Sequence, residues 1–150
     1  MRTLDKAATL DKWEVEFFED AWGRLPVQRW MERDLNEIQR AAVDIAITKI
    51  LTSEGINLVG TQWMKALGDG LYEFRIRHSS QEIQSIYTPA SKTGGIHHAI
   101  LIRIFVSYHG RKIILLLSAY DKGRFPSKKR QQSEIEIARK RLKSWRRSHK

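Results

Sequence analysis

The chain of 150 residues contains no cysteine, which excludes a disulfide framework, a thiolate metal site and a cysteine nucleophile. Long apolar runs are also missing. The longest, residues 113–117, is far shorter than the ~20 residues that a helix needs to cross a bilayer. The first residues lack the apolar core of a secretory signal. We therefore expect a cytoplasmic protein with no membrane partner.

Residues that interrupt helices and strands are few, since the sequence has only three prolines and nine glycines. Hydrophobic residues make up 41% of the chain. A chain of this size hides roughly two-thirds of its unfolded surface on folding. The composition therefore predicts a single domain over residues 1–150. A segment rich in Ser, Gln, Thr, Gly and Lys around Pro89 predicts a loop insertion at about 79–98.

Acidic residues are scarce at one end of the chain. The formal net charge is +10, from 27 Lys+Arg and 17 Asp+Glu. Residues 122–150 contain 12 of the basic residues and 2 of the acidic ones, whereas residues 1–121 contain 15 of each. Such a concentrated positive segment is expected of a protein that binds nucleic-acid phosphates or an acidic partner. The alternative is a basic tail that serves only as solvated surface.

Four segments show strand-like patterns. Residues 13–17 and 71–77 alternate apolar and polar side chains with period two, and residues 100–106 are β-branched and aromatic. Residues 113–117 are wholly apolar, as in a central strand. Residues 56–70 show no clean period, so the sequence predicts a connection there.

Two segments have helical patterns. From Pro26, a residue suited to a first helical turn, apolar residues recur at helical spacing to about residue 53, in one long helix or two. A basic amphipathic helix is predicted at about 127–147. The expected fold is α+β, with a small, mostly antiparallel sheet of about four strands packed against the N-terminal helices and the basic C-terminal helix.

Four sequence runs resemble, in order, the core of RelE/HigB-type toxins, which belong to the RelE/ParE superfamily of bacterial type II toxin–antitoxin systems. They are GLYEFRIR (residues 70–77), RIF (103–105), LLLSAYDKG (115–123) and EIEIA (134–138) with Arg141. The resemblance implies a single RelE-like toxin domain that acts as a metal-independent, ribosome-dependent mRNA endonuclease and so inhibits translation. It implies mRNA in the ribosomal A site as substrate, and a cognate antitoxin, expected to be a helix-turn-helix DNA-binding protein. It implies no cofactor.

Two alternatives remain open at this point. The same superfamily contains ParE toxins, which inhibit DNA gyrase without catalysing a reaction, and likeness of fold does not choose between the branches. A third possibility is a basic protein that binds nucleic acid or an antitoxin and whose active site has decayed. Basic side chains gathered at strand ends favour the endonuclease.

Candidate site residues follow from the chemistry of metal-free RNA cleavage, in which fixed cations must stabilise negative charge on a five-coordinate phosphorus. Arginine suits this role because its planar fork pairs with two phosphate oxygens and stays charged. By resemblance, the catalytic residues are Arg75, Arg103, Lys122 and Arg124. The residues expected to bind RNA are Arg77, Tyr120, Lys128, Lys129 and Arg130, with the tyrosine stacking on a base. Without the resemblance, Arg75 and Arg77 would equally suit a solvated sheet face beside Glu73.

The sequence departs from the family pattern in one respect. Many RelE/HigB toxins carry an active-site tyrosine or histidine in or after the last helix, but here no tyrosine follows Tyr120 and the only late histidine is His149. The general acid and base are therefore unassigned, with Lys122 and Glu73 as candidates. No metal is expected at residues 97–98, because two adjacent histidines on a strand face opposite ways and lack further ligands nearby.

Overall fold

The computed structural model of the protein describes residues 12–79 and 99–149, and its centre is a five-stranded mixed sheet. The sheet order is β1-β5-β4-β3-β2, with β1 parallel to β5 and the other neighbouring strands antiparallel. This confirms the expected α+β class with a mostly antiparallel sheet. The strands are β1 (Glu14–Phe17), β2 (Met64–Gly68), β3 (Leu71–Ser79), β4 (Ala99–His109) and β5 (Ile113–Asp121).

Strand β2 corrects the sequence expectation, which placed a connection there and counted about four strands. It lies at the edge of the sheet and pairs with β3 through a tight turn. Gly68, Asp69 and Gly70 all have positive φ in this turn, at 93°, 54° and 81°. Because β2 is an edge strand with adjacent exposed residues, Lys65 and Ala66, its sequence lacks the alternation that marks a half-buried strand.

The helical segment before β2 contains two helices, α1 (Pro26–Asp34) and α2 (Glu37–Ile45). Pro26 starts α1, where its missing N–H is not needed. Asn36 begins α2 with a capping box: its side chain accepts the N–H of Gln39 at 2.8 Å, and the Gln39 side chain accepts the Asn36 N–H at 3.0 Å. The chain then continues through a π-helical segment (Ala46–Leu51), a last α-turn (Thr52–Glu54) and a 3₁₀ helix (Gly55–Leu58).

The basic helix α3 (Lys128–Ser148) agrees with the helix expected at about 127–147. Ser127 caps it by accepting the N–H of Arg130 at 3.1 Å. The apolar stripe of α3, centred on Ala138 and Leu142, packs on one face of the sheet and forms a second core there. The larger core lies on the opposite face, beneath α1 and α2.

In the part of the chain that the structure describes, no helix combines the length and the apolar character needed to cross a membrane. The predicted loop insertion at about 79–98 lies outside the described residues except for Ser79, where β3 ends. The histidine pair at residues 97–98 lies outside them as well.

Candidate active site

The sheet face that carries α3 becomes basic near the first turn of that helix. Glu73, Arg75 and Arg77 occupy every second position of β3, so they share one face. Arg75 lies directly opposite Arg103 on β4, and Arg103 lies directly opposite Tyr120 on β5. Side chains at opposed positions of an antiparallel pair are neighbours. The pairing of β3 with β4 thus brings the two predicted catalytic arginines side by side.

The side chain of Glu73 is the carboxylate of this region, and it is fully buried. Its Oε1 accepts a hydrogen bond from Arg75 Nε at 2.9 Å, and its Oε2 accepts one from Gln131 Nε2, at the start of α3, at 2.6 Å. The Nε of Arg103 lies 3.8 Å from the same Oε2. A buried carboxylate is stable only with such partners. Glu73 therefore fixes Arg75 and ties the sheet to α3.

Arg103 is the most deeply buried cation of the region, with only 5% of its side chain exposed. Its Nη1 donates to the carbonyl of Ile102 at 3.3 Å, but its Nε finds no hydrogen-bond partner among the described residues. Burial lowers the pKa of Arg103, and Arg75 and Arg77 lower it further, whereas Glu73 opposes the shift. A desolvated guanidinium with a free donor and like-charged neighbours gains energy from an added anion.

Lys122 belongs to the same electrostatic cluster, although it follows β5 rather than lying on β3 or β4. Partial burial lowers its pKa first, and the charge of Arg103 lowers it next, with smaller effects of the same sign from Arg75 and Arg77. We call Arg75, Arg77, Arg103 and Lys122 the basic cluster. Glu73 interacts with three of these four cations, and the formal charge of the basic cluster together with Glu73 is +3. That excess favours the binding of an anion such as phosphate.

The remaining predicted residues lie in the connection after β5 and at the start of α3. Arg124 is exposed, and its backbone N–H donates to Asp121 Oδ1 at 3.2 Å. Lys128 and Lys129 are exposed in the first turn of α3, and Arg130 forms an ion pair with Glu134 at 3.1 Å. These four cations extend the positive surface beyond the basic cluster.

Tyr120 is not available for the base stacking expected from the sequence. Its side chain is fully buried in the second core, where its ring lies parallel to that of Phe105 at a centroid distance of 6.2 Å. Burial raises the pKa of Tyr120, and the charge of Glu73 adds to this effect. The alternation of β5 puts Tyr120 on the correct face of the sheet, but α3 covers it there.

His149 is also unsuited to a role at the basic cluster. It follows α3 at the end remote from Gln131, which is roughly 27 Å away at 1.5 Å of helix per residue. There the ring of His149 stacks on that of Trp145 at a centroid distance of 4.0 Å. The ring of His109 also contacts Trp145, at a centroid distance of 4.1 Å. Among the candidates for proton transfer, Lys122 is therefore the better placed.

Gln131 is a site residue that the sequence reasoning missed. It carries no charge, and nothing in its local pattern marks it, because its contact with Glu73 joins residues 58 positions apart. The one available signal was its place in the first turn of a helix that directly follows the basic connection. Within residues 12–79 and 99–149, no three His, Cys, Asp or Glu side chains gather in a way that could hold a metal ion.

A positively charged, partly desolvated surface is thus built on three strands and completed by α3. It contains Arg75, Arg77, Arg103 and Lys122. Comparison of the chain with protein-family models, with curated proteins and with solved structures finds no match.

Proposed function

We propose that this chain is the toxin of a type II toxin–antitoxin system and acts in the cytoplasm as a metal-independent, ribosome-dependent mRNA endonuclease that inhibits translation. The observation that carries the proposal is the basic cluster, in which Arg75, Arg103 and Lys122 interact with one buried carboxylate, Glu73. Arg77 adds a fourth positive charge on the same sheet face. All four members of the basic cluster, Arg75, Arg77, Arg103 and Lys122, lie in the sequence runs that resemble RelE/HigB toxins.

The cluster has the charges that RNA cleavage needs. Attack of a ribose 2′-oxygen on the adjacent phosphorus forms a new O–P bond and breaks the bond to the 5′-oxygen, while negative charge builds up on the other phosphate oxygens. The 2′-hydroxyl releases its proton to solvent, and the leaving 5′-oxygen takes up a proton from a general acid. Arg75 and Arg103 are held in place before substrate arrives, so they can stabilise this charge without reorganising. Their low solvent exposure strengthens the effect.

Proton transfer is assigned to Lys122 rather than to Glu73. Both oxygens of Glu73 already accept hydrogen bonds from Arg75 and Gln131, so this carboxylate positions the arginines instead of taking a proton from substrate. The lowered pKa of Lys122, caused by burial and by the neighbouring arginines, brings its proton affinity closer to that of a group active near neutral pH.

The substrate and partners of the proposal are mRNA in the ribosomal A site and a helix-turn-helix antitoxin. The exposed cations at the start of α3, Lys128 and Lys129, are placed to contact RNA phosphates outside the basic cluster. Such contacts supply affinity that depends on salt, while the basic cluster supplies the chemistry.

The proposal is tested by expressing the chain in bacteria without an antitoxin, mapping RNA 5′ ends and following a DNA-damage reporter. We expect growth arrest with new 5′ ends inside translated messages and no damage signal. A damage signal without cut messages would instead favour a gyrase inhibitor, and normal growth with soluble protein would favour a decayed binding protein.

Single-turnover cleavage on programmed ribosomes tests the site itself. Arg75→Ala and Arg103→Ala should each lower the rate by on the order of 10²-fold, because each removes charge stabilisation from the transition state. The matched control is Arg111→Ala, an exposed arginine between β4 and β5, about 30 Å along β5 from Lys122. If both cluster variants are folded and cleave at the parent rate, the site assignment is wrong.

A further inference from the structure

Phe125 is an exposed aromatic residue in the segment that follows Lys122 of the basic cluster, and 39% of its surface is accessible. It belongs to the connection between β5 and α3, three residues after Lys122. Its backbone N–H donates to the carbonyl of Asp121 at 2.9 Å, and the Gly123 N–H donates to the carbonyl of Leu101 at 3.1 Å. Two hydrogen bonds thus fix the turn that carries Phe125 and hold it against β4.

Two guanidinium groups lie over the ring of Phe125. The Cζ of Arg130 is 4.3 Å from the ring centroid and that of Arg124 is 5.4 Å away. Arg130 is itself held by Glu134, whose Oε2 accepts from its Nε at 3.1 Å. The two arginines therefore restrain the ring, while the residue as a whole keeps more than a third of its surface accessible to solvent.

An open aromatic ring bordered by cations is the arrangement that binds single-stranded nucleic acid. The cations hold the phosphate backbone, and the ring stacks on a base, since every base has a flat face. A base inside a duplex is already stacked on both sides, so such a ring selects an unpaired, unstacked base. Tyr120 cannot take this role, because it is buried under α3.

We propose that Phe125 stacks on an unpaired nucleobase of an RNA strand whose phosphate is held by the basic cluster. The inference rests on the proposed function and adds a base-binding subsite to it. The substrate class is single-stranded RNA with a splayed base next to the phosphate that reacts. Loss of one stacked base weakens binding by about 5- to 100-fold.

The test measures binding without cleavage. The probe is a 2′-O-methylated RNA hexanucleotide, which lacks the attacking 2′-hydroxyl, labelled for fluorescence anisotropy and carrying 2-aminopurine at each position in turn. Phe125→Leu should lower affinity by about 5- to 100-fold, while Phe125→Trp should retain it and change the emission of one 2-aminopurine position. An abasic probe at that position should bind the wild type and Phe125→Leu equally.

The matched control is Trp22→Leu, which removes a more exposed aromatic ring that also lies beside an arginine, Arg24. The surroundings of Trp22 differ in charge from those of Phe125, because the two carboxylates of Glu19 and Asp20 lie near Arg24 there. We expect this variant to bind the probe as the wild type does. Thermal melts of all variants confirm that each is folded.

The outcomes separate the two proposals. If the wild type binds RNA and cleaves mRNA, but folded Phe125→Leu binds every probe as tightly as the wild type, the stacking role is refuted and the toxin assignment stands. If the wild type neither cleaves mRNA nor binds the hexanucleotide, the proposed function fails, and the subsite fails with it. Equal weakening of the intact and abasic probes by Phe125→Leu also refutes stacking.

Discussion

Replacing Glu73 with glutamine should destabilise the fold more than almost any other change of one charge. The side chain is 1% exposed, and its two oxygens accept hydrogen bonds from Arg75 Nε and Gln131 Nε2. A glutamine fills the same space but has one acceptor oxygen, so its NH₂ group must face a donor. It also leaves Arg103 buried among cations with no opposing charge.

The size of the loss follows from the burial of the pair. Removing one partner of a buried ion pair costs about 3–5 kcal/mol, because the other charge stays buried and uncompensated. Arg75 is 23% exposed and keeps some solvation, so we expect about 3 kcal/mol for Glu73→Gln. Domains of this kind are stable by only about 5–15 kcal/mol, so the variant should be folded but fragile.

Urea unfolding followed by tryptophan fluorescence measures this loss. With a typical m-value of about 1–3 kcal/mol/M, the midpoint should fall by about 1–3 M. The control is Glu136→Gln on the exposed face of α3, which should change stability by no more than about 0.5 kcal/mol. A Glu73→Gln variant as stable as that control would refute the described ion network.

Three further predictions concern other parts of the molecule. Gly55→Ala should unfold the protein or lower its free energy of unfolding by several kcal/mol, because Gly55 has φ +48° and a Cβ there would overlap the Trp13 ring. Thermal melting measures this loss, and a melting temperature like that of the wild type would contradict the described packing. Burial and nearby cations lower the pKa of His109 below 6.5, so the native state binds fewer protons than the unfolded state. The contribution of neutral His109 to the free energy of unfolding is fully present above pH 6.5 and is lost as the pH falls below that value. His109→Asn should therefore make the free energy of unfolding depend less on pH below 6.5. Replacing both Lys128 and Lys129 with alanine should lower the slope of log affinity for single-stranded RNA against log salt concentration by about 1.4. The cleavage rate at saturation should change little. An unchanged slope would show that neither lysine contacts the RNA.

The strands with strong local patterns were predictable from sequence. Residues 71–77 alternate clearly, so both the strand and the shared face of Arg75 and Arg77 follow from a period of two. Strand β2 was not predictable, because an edge strand with adjacent exposed residues shows no such pattern and is defined only by its pairing with β3.

The strand arginines of the candidate site could be named from the sequence, but their arrangement could not be. Arg75 and Arg103 are neighbours because of the register between β3 and β4, which no local pattern specifies. The burial of Tyr120 depends on where α3 lies, and the contact of Gln131 with Glu73 depends on the same packing. Tertiary contacts between distant segments thus determine which polar groups are accessible and which are fixed.

The parallel pairing of β1 with β5 affects the order in which the sheet forms during synthesis. Val15 lies beside Ile114, so the first strand waits for a partner that is made almost a hundred residues later. Contacts of such large sequence separation slow folding. A growing chain that lacks β5 and α3 also lacks Lys122 and the Gln131 contact to Glu73. The basic cluster and its contact with α3 therefore form only after β5 and the start of α3 have been made.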